Sequence, residues 1–177
     1  MTTDLTHEGA ELTAKALGLL RAGFPLKPSH QRLIQLVEMP SFPVHASTSW
    51  ELFEEAGLVR AVWRSDLDYL NLQDPVIRLR HRRFLQPTIE MTVADVDGTF
   101  AQATVKQLRG LSIPVFQKAE GIALDGTGYE LTVGHFPEGR YKWHGSLPES
   151  WDPLRQWAFA WMKVLQALQF HEPTAPE

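Results

Sequence analysis

Apolar residues recur along this chain at two periods, one helical and one alternating. Leu12, Ala16, Leu19 and Leu20 share one side of a predicted helix from Thr6 to Arg21, with Glu8, Glu11 and Lys15 on the other. Gly23 and Pro25 stop it. A second, short helix is predicted with Ser29 as N-cap, running through Leu33, Ile34, Leu36 and Val37. It ends before Pro40, because the residue preceding a proline disfavours helical backbone. Residues 1–38 then form a helical hairpin. Residues 39–49, MPSFPVHASTS, are too rich in Pro and Ser for regular structure and read as a loop.

Beyond residue 50 the pattern is mostly that of strands. WELF and LVRAVW flank Glu54–Gly57 and predict a hairpin; a helix over Trp50 to Ala56 is the alternative. Asp66 to Pro75 reads as a polar loop, Val76 to Phe84 and Thr88 to Val93 as strands, and Asp95 to Gly98 as a turn. Phe100 to Arg109 suits a helix, with Ala101, Val105 and Leu108 on one face and Gly110 after its end. Gly121–Leu124 and Tyr129–Val133 flank the turn signal AspGlyThrGly, and Arg140–His144 adds another strand after a turn at Phe136–Gly139.

A last helix, capped by Ser150 or Asp152 with Pro153 in its first turn, carries Leu154, Trp157, Ala158, Trp161, Leu165 and Leu168 as a stripe that should lie across the sheet. The expected fold is α+β in one domain over 1–177. A mainly antiparallel sheet carries the N-terminal helical hairpin, one mid-chain helix and the C-terminal amphipathic helix, with 50–177 as the α+β core.

Composition narrows the function classes. With 44% apolar and 21% charged residues over 177 positions the chain is of ordinary globular make-up. The absence of cysteine excludes a disulfide framework, a thiolate metal site and a Cys nucleophile. The opening MTTDLTHEGAEL lacks the basic and apolar regions of a signal peptide, and no apolar run reaches the roughly 18 residues that span a bilayer, so a cytoplasmic protein without a membrane segment is expected. The net charge of −4 divides as −4 over 1–75, +4 over 76–118 and −4 over 119–177. Such segments are expected to compensate within the fold, and nucleic acid is not the leading partner.

The candidate chemistry is sparse. On a strand, Arg78, Arg80 and Arg82 of ArgLeuArgHisArgArg project to one side, where like charges repel unless an acidic partner answers them. No aromatic lies between them for base stacking. Glu130, His135 and His144 could form a shallow polar site for acid–base or metal chemistry. The same alternation, with Tyr129, Leu131, Tyr141 and Trp143 facing the other way, is what a sheet with one face in water requires. No HExxH, P-loop, GxSxG or complete calcium-loop motif is present, and neither a metal nor a cofactor is expected. Trp151, just before the last helix, is the tryptophan best placed to anchor a contact.

The order DGTGYEL at 125–131, YKWHG at 141–145 and LPESWDPL at 147–154 resembles a pattern in small uncharacterised bacterial proteins. In these a DGT turn, a YEL strand, an aromatic strand ending in Gly and a PxxWxxL helix start follow one another. These motifs are structural punctuation, so the resemblance implies no catalytic residue. Some such proteins sit beside toxin or contact-dependent systems, which implies an immunity-type binding role. The expectation is a non-catalytic module that binds another protein. The alternatives are a small enzyme or ligand-binding protein using the His/Glu/Arg cluster, and an anion or nucleic-acid binder using the arginine strand.

Overall fold

The structure is a computed structural model and describes residues 2–27, 30–41, 46–54, 57–76, 86–114, 126–134, 139–145 and 149–173, with side chains from His7 onward. Its elements are α1 (Thr2–Ala22), β1 (Arg32–Pro40), β2 (Ser47–Phe53), β3 (Gly57–Trp63), α2 (Ser65–Gln73), β4 (Ile89–Ala94), α3 (Gly98–Arg109), β5 (Thr127–Val133), β6 (Gly139–His144), a 3-10 turn (Glu149–Trp151) and α4 (Asp152–Ala167). The strands form one antiparallel sheet in the order β4-β3-β2-β1-β5-β6. The α+β class and the antiparallel sheet agree with the sequence pattern.

β1 replaces the expected second helix of the N-terminal hairpin. It lies between β2 and β5 with both faces covered: Ile34 and Leu36 join the core on one face and Val37 joins that on the other. A strand buried on both faces reads as a continuous apolar run, which periodicity cannot tell from a buried helix. The predicted loop is correspondingly shorter, since β1 continues to Pro40 and β2 begins at Ser47.

The β2–β3 hairpin forms as expected, with Phe53 opposite Gly57. Asp66 to Pro75, expected as a loop, holds α2. The helix survives its polar composition because its inner side is anchored: Ser65, Asp68 and Leu72 are buried, and Asp68 accepts the indole N–H of Trp63 at 2.8 Å. α3 begins at the expected turn, where Asp97 is the N-cap and accepts Phe100 N–H at 2.7 Å. α4 has no side-chain cap, for Asp152 instead pairs with Arg155 at 2.7 Å and the Ser150 hydroxyl is buried without a partner among the described residues. Of the strands expected at 76–84 and 121–124, all but Val76 lies outside the described residues.

Two layers of helix enclose the sheet. α3 and α4 pack Ala101, Leu108, Leu154, Trp157, Ala158 and Leu165 on Ile34, Leu36, Leu52, Leu58, Leu131 and Trp143. α1 covers the opposite face with Leu12, Ala16 and Leu20 against Val37, Ala61 and Trp63, and α2 adds Leu72 to that cluster. Leu19, expected in the α1 stripe, is 41% exposed. At its centre the sheet is therefore covered on both faces, which corrects the expectation of a face in water: Glu130 is buried, as is Thr132. At one edge, His171 exchanges two backbone hydrogen bonds with Val93, at 2.8 and 2.9 Å, and partly closes β4.

Candidate functional site

The polar residues that α1 covers form a buried seam across the sheet. Thr132, Gln35 and Glu51 stand opposite one another on β5, β1 and β2, and the adjacent row holds Lys142, Glu130, Val37 and Ser49. The end of α1 supplies their partners. Gln35 Nε2 donates to Leu20 O at 2.7 Å and to Ser49 Oγ at 3.2 Å. Glu51, fully buried, accepts the backbone N–H of Phe24 and the guanidinium of Arg32 at 3.2 Å, while Arg32 also reaches Ala22 O. Burial pushes the Glu51 carboxyl above its ordinary value, and Arg32 and the Phe24 N–H offset that only in part.

Glu130 is held by two cations, with Arg21 on Oε1 at 2.6 Å and Lys142 on Oε2 at 3.1 Å. Burial opposes its charge, yet hydrogen bonds and charge from Arg21 and Lys142 outweigh burial and lower its pKa. Both oxygens are engaged, so this carboxylate anchors α1 to the sheet, and its lowered pKa makes it a weaker base.

His144 lies on the same face of the sheet but at the exposed end of β6. Ser41 hydrogen-bonds through its hydroxyl to Gly126 O, which commits its single proton, so His144 Nε2 donates to Ser41 Oγ at 3.1 Å. A serine poised for attack needs the reverse polarity, with its proton directed at the imidazole. The pair instead ties the end of β1 to the end of β6. Trp151 is half-buried; its ring meets Tyr141 edge-on at 6.0 Å between centroids, and its indole N–H is buried without a partner among the described residues. His135 and Arg78, Arg80 and Arg82 lie outside the described residues. Among the described residues no group of three or more His, Asp or Glu could hold a metal ion, and no helix is long and apolar enough to cross a membrane.

Sequence reasoning did not single out Glu51, Gln35 or Glu38. The carboxyl of Glu38 is raised by burial while a hydrogen bond from the Tyr129 hydroxyl acts the other way. The available signal for Glu51 was its place between Trp50 and Leu52 in a strand whose two faces are both buried.

Six large apolar side chains are exposed among the described residues: Leu19 on α1, Phe159 and Val164 on α4, and Leu67, Leu70 and Val76 on and just after α2. On α2, Leu67 and Leu70 are 48% and 61% exposed, and Val76 just beyond the helix is 59% exposed. Leu67 and Leu70, three apart, share the outer side of the helix. Comparison with protein-family profiles, with curated proteins and with solved structures returned no match.

Proposed function

We propose that the chain is a non-catalytic protein-binding module of the bacterial cytoplasm that recognises an acidic protein surface through α2 and the arginine run that follows it. The observation that carries this reading is the exposure of Leu67 and Leu70 on α2 and of Val76 just after it. Large apolar side chains grouped at a surface mark contact sites far more than scattered ones do. Residues 77–85 follow directly in sequence and bring Arg78, Arg80, Arg82 and Arg83, so apolar anchors and cations belong to one stretch of chain. The carboxylates and histidine of the seam are spent on holding α1 and the strand ends, which supports a binding role over acid–base turnover. The resemblance of 125–154 to small bacterial proteins near toxin systems suggests that the acidic partner is a toxin, with the module covering it.

The test is affinity capture from the host with the full chain as bait, beside a Leu70→Glu variant and an Arg78, Arg80, Arg82→Glu variant, each with the parent's melting temperature. The expected result is a protein retained by the parent and lost by both variants. A hot-spot leucine is worth about 2 kcal/mol or more, roughly a thirtyfold change in Kd once the partner is purified. Equal retention by Leu70→Glu removes this reading.

A further inference from the structure

Two hollows open along α3, and Arg109 stands in the wall of both. The larger, about 470 Å³, has Leu33, Ala101 and Val105 as apolar lining and Glu54, Lys106 and Arg109 as its charged groups. The smaller, about 250 Å³, is lined by Leu108, Leu111, Ile113, Val133 and Tyr141 beside Arg109. The topology places them together. Leu33 lies near the start of β1 and Val133 at the end of its antiparallel neighbour β5, and Gly134 N–H donates to Leu33 O at 2.8 Å. Both hollows therefore lie at one end of the sheet, beside the helix that packs there through the buried side chains of Ala101 and Leu108. Leu33, Val105, Leu111, Ile113 and Tyr141 stay half-buried, leaving apolar surface partly open on either side of Arg109.

Among the described residues no ion pair answers the cations of this groove, Lys106 and Arg109. Cations in the last turn of α3 complement the carbonyl end of the helix. That role fixes only a position along the helix, and it does not require Arg109 to border both hollows. Among the described lining residues Glu54 is the counter-charge, so two cations face one carboxylate there.

We propose that this groove binds a small amphipathic monocarboxylate. Arg109, with Lys106 one turn earlier, takes the carboxylate, and the apolar body lies over Leu33 and Val105 or, past Arg109, over Leu111 and Tyr141. A hollow of this size falls in the usual range of roughly 300–1,000 Å³ for small-ligand sites, which pair an apolar lining with a few placed polar groups. A guanidinium suits the two oxygens of a carboxylate, and Glu54 disfavours a second negative charge. The site is separate from α2 and stands whether or not the chain also binds a protein there.

The test is a titration of the isotopically labelled full chain with decanoate, followed by amide resonances, beside decan-1-ol and the dicarboxylate sebacate. Decanoate is expected to shift Ala101, Val105, Leu108 and Arg109, and to bind more tightly than sebacate. Arg109→Met, at an exposed position, weakens decanoate at least about tenfold, the loss of a charge-assisted hydrogen bond, and leaves decan-1-ol unchanged. Gly98 borders the larger hollow and a Cβ there meets nothing within 4 Å, so Gly98→Leu tests occupancy by filling it and weakens both decanoate and decan-1-ol. Decanoate that binds Arg109→Met as tightly as the parent, or that shifts no α3 resonance at millimolar concentration, overturns the proposal.

Discussion

Glu51 accepts the backbone N–H of Phe24 on both carboxylate oxygens, at 3.0 and 3.2 Å, and so fastens the chain leaving α1 to the middle of the sheet. The approach is close because Gly23 intervenes. Its φ is +88°, and a Cβ at this position would overlap Arg32 Nη1 and Glu51 Oε2. Gly23→Ala is therefore expected to lower stability by about 1–3 kcal/mol from backbone conformation alone, with a further loss as the buried ion pair is displaced. Urea denaturation measures it, and a change below about 0.5 kcal/mol would contradict the account.

The Glu51 carboxyl makes stability depend on pH in a defined direction. Its folded pKa is raised above the ordinary value of 4.5, so the folded protein binds this proton more tightly than the unfolded chain does. The stabilisation is fully present below 4.5 and is lost as pH rises through the folded value. Glu51→Gln removes the titration. The variant's stability relative to the parent is expected to improve steadily from acid toward neutral pH, as read from urea midpoints across that range. A difference that does not vary with pH would show that Arg32 and Phe24 fully compensate the burial.

The sequence disclosed elements whose two sides differ and hid those whose sides are alike. The outward Lys15 and inward Leu12 of α1, or the outward Lys163 and inward Trp161 of α4, announce a helix with one buried face. β1 carries Ile34, Leu36 and Val37 to two different cores, and its period is lost because nothing on it needs water. α2 failed for the opposite reason. Its helix is held by Asp68, which accepts the Trp63 indole five residues earlier and the Thr88 N–H, twenty residues later, at 2.9 Å, and hydrophobic periodicity registers neither bond. Glu130 and His144 were visible as polar residues on neighbouring strands, but their partners Arg21 and Ser41 come from α1 and from just beyond β1. Only the topology makes these two pairs.

Glu130 titrates in the sense opposite to Glu51. With its pKa lowered below 4.5 by Arg21 and Lys142 against the effect of burial, its contribution is present above 4.5 and is lost as pH falls through the folded value. Glu130→Gln is expected to cost about 1–3 kcal/mol at neutral pH, typical of hydrogen bonds to a charged group, with the gap to the parent closing in acid. A cycle with Arg21→Met separates the share of the α1 contact from that of Lys142. Additive single substitutions would show that the 2.6 Å pair is not coupled to folding.

Asp68 offers the sharpest separation of structure from surface on α2. It is 5% exposed, and a single oxygen, Oδ2, accepts both the Trp63 indole N–H and the Thr88 backbone N–H. Asp68→Ala leaves the buried Trp63 indole N–H without its acceptor and removes the part-buried bond from the Thr88 N–H, and is expected to cost about 1–3 kcal/mol. Exchange of the Thr88 amide and the Trp63 indole proton should become faster, because the same bonds that protect them hold α2 to β3 and to the residue preceding β4. Asp68→Asn keeps an oxygen and should lose less. Leu70→Glu, on the solvent side of the same helix, is expected to change stability by less than about 0.5 kcal/mol. If Leu70→Glu proves as damaging as Asp68→Ala, then Leu70 supports the fold and the apolar side of α2 is not a free contact surface.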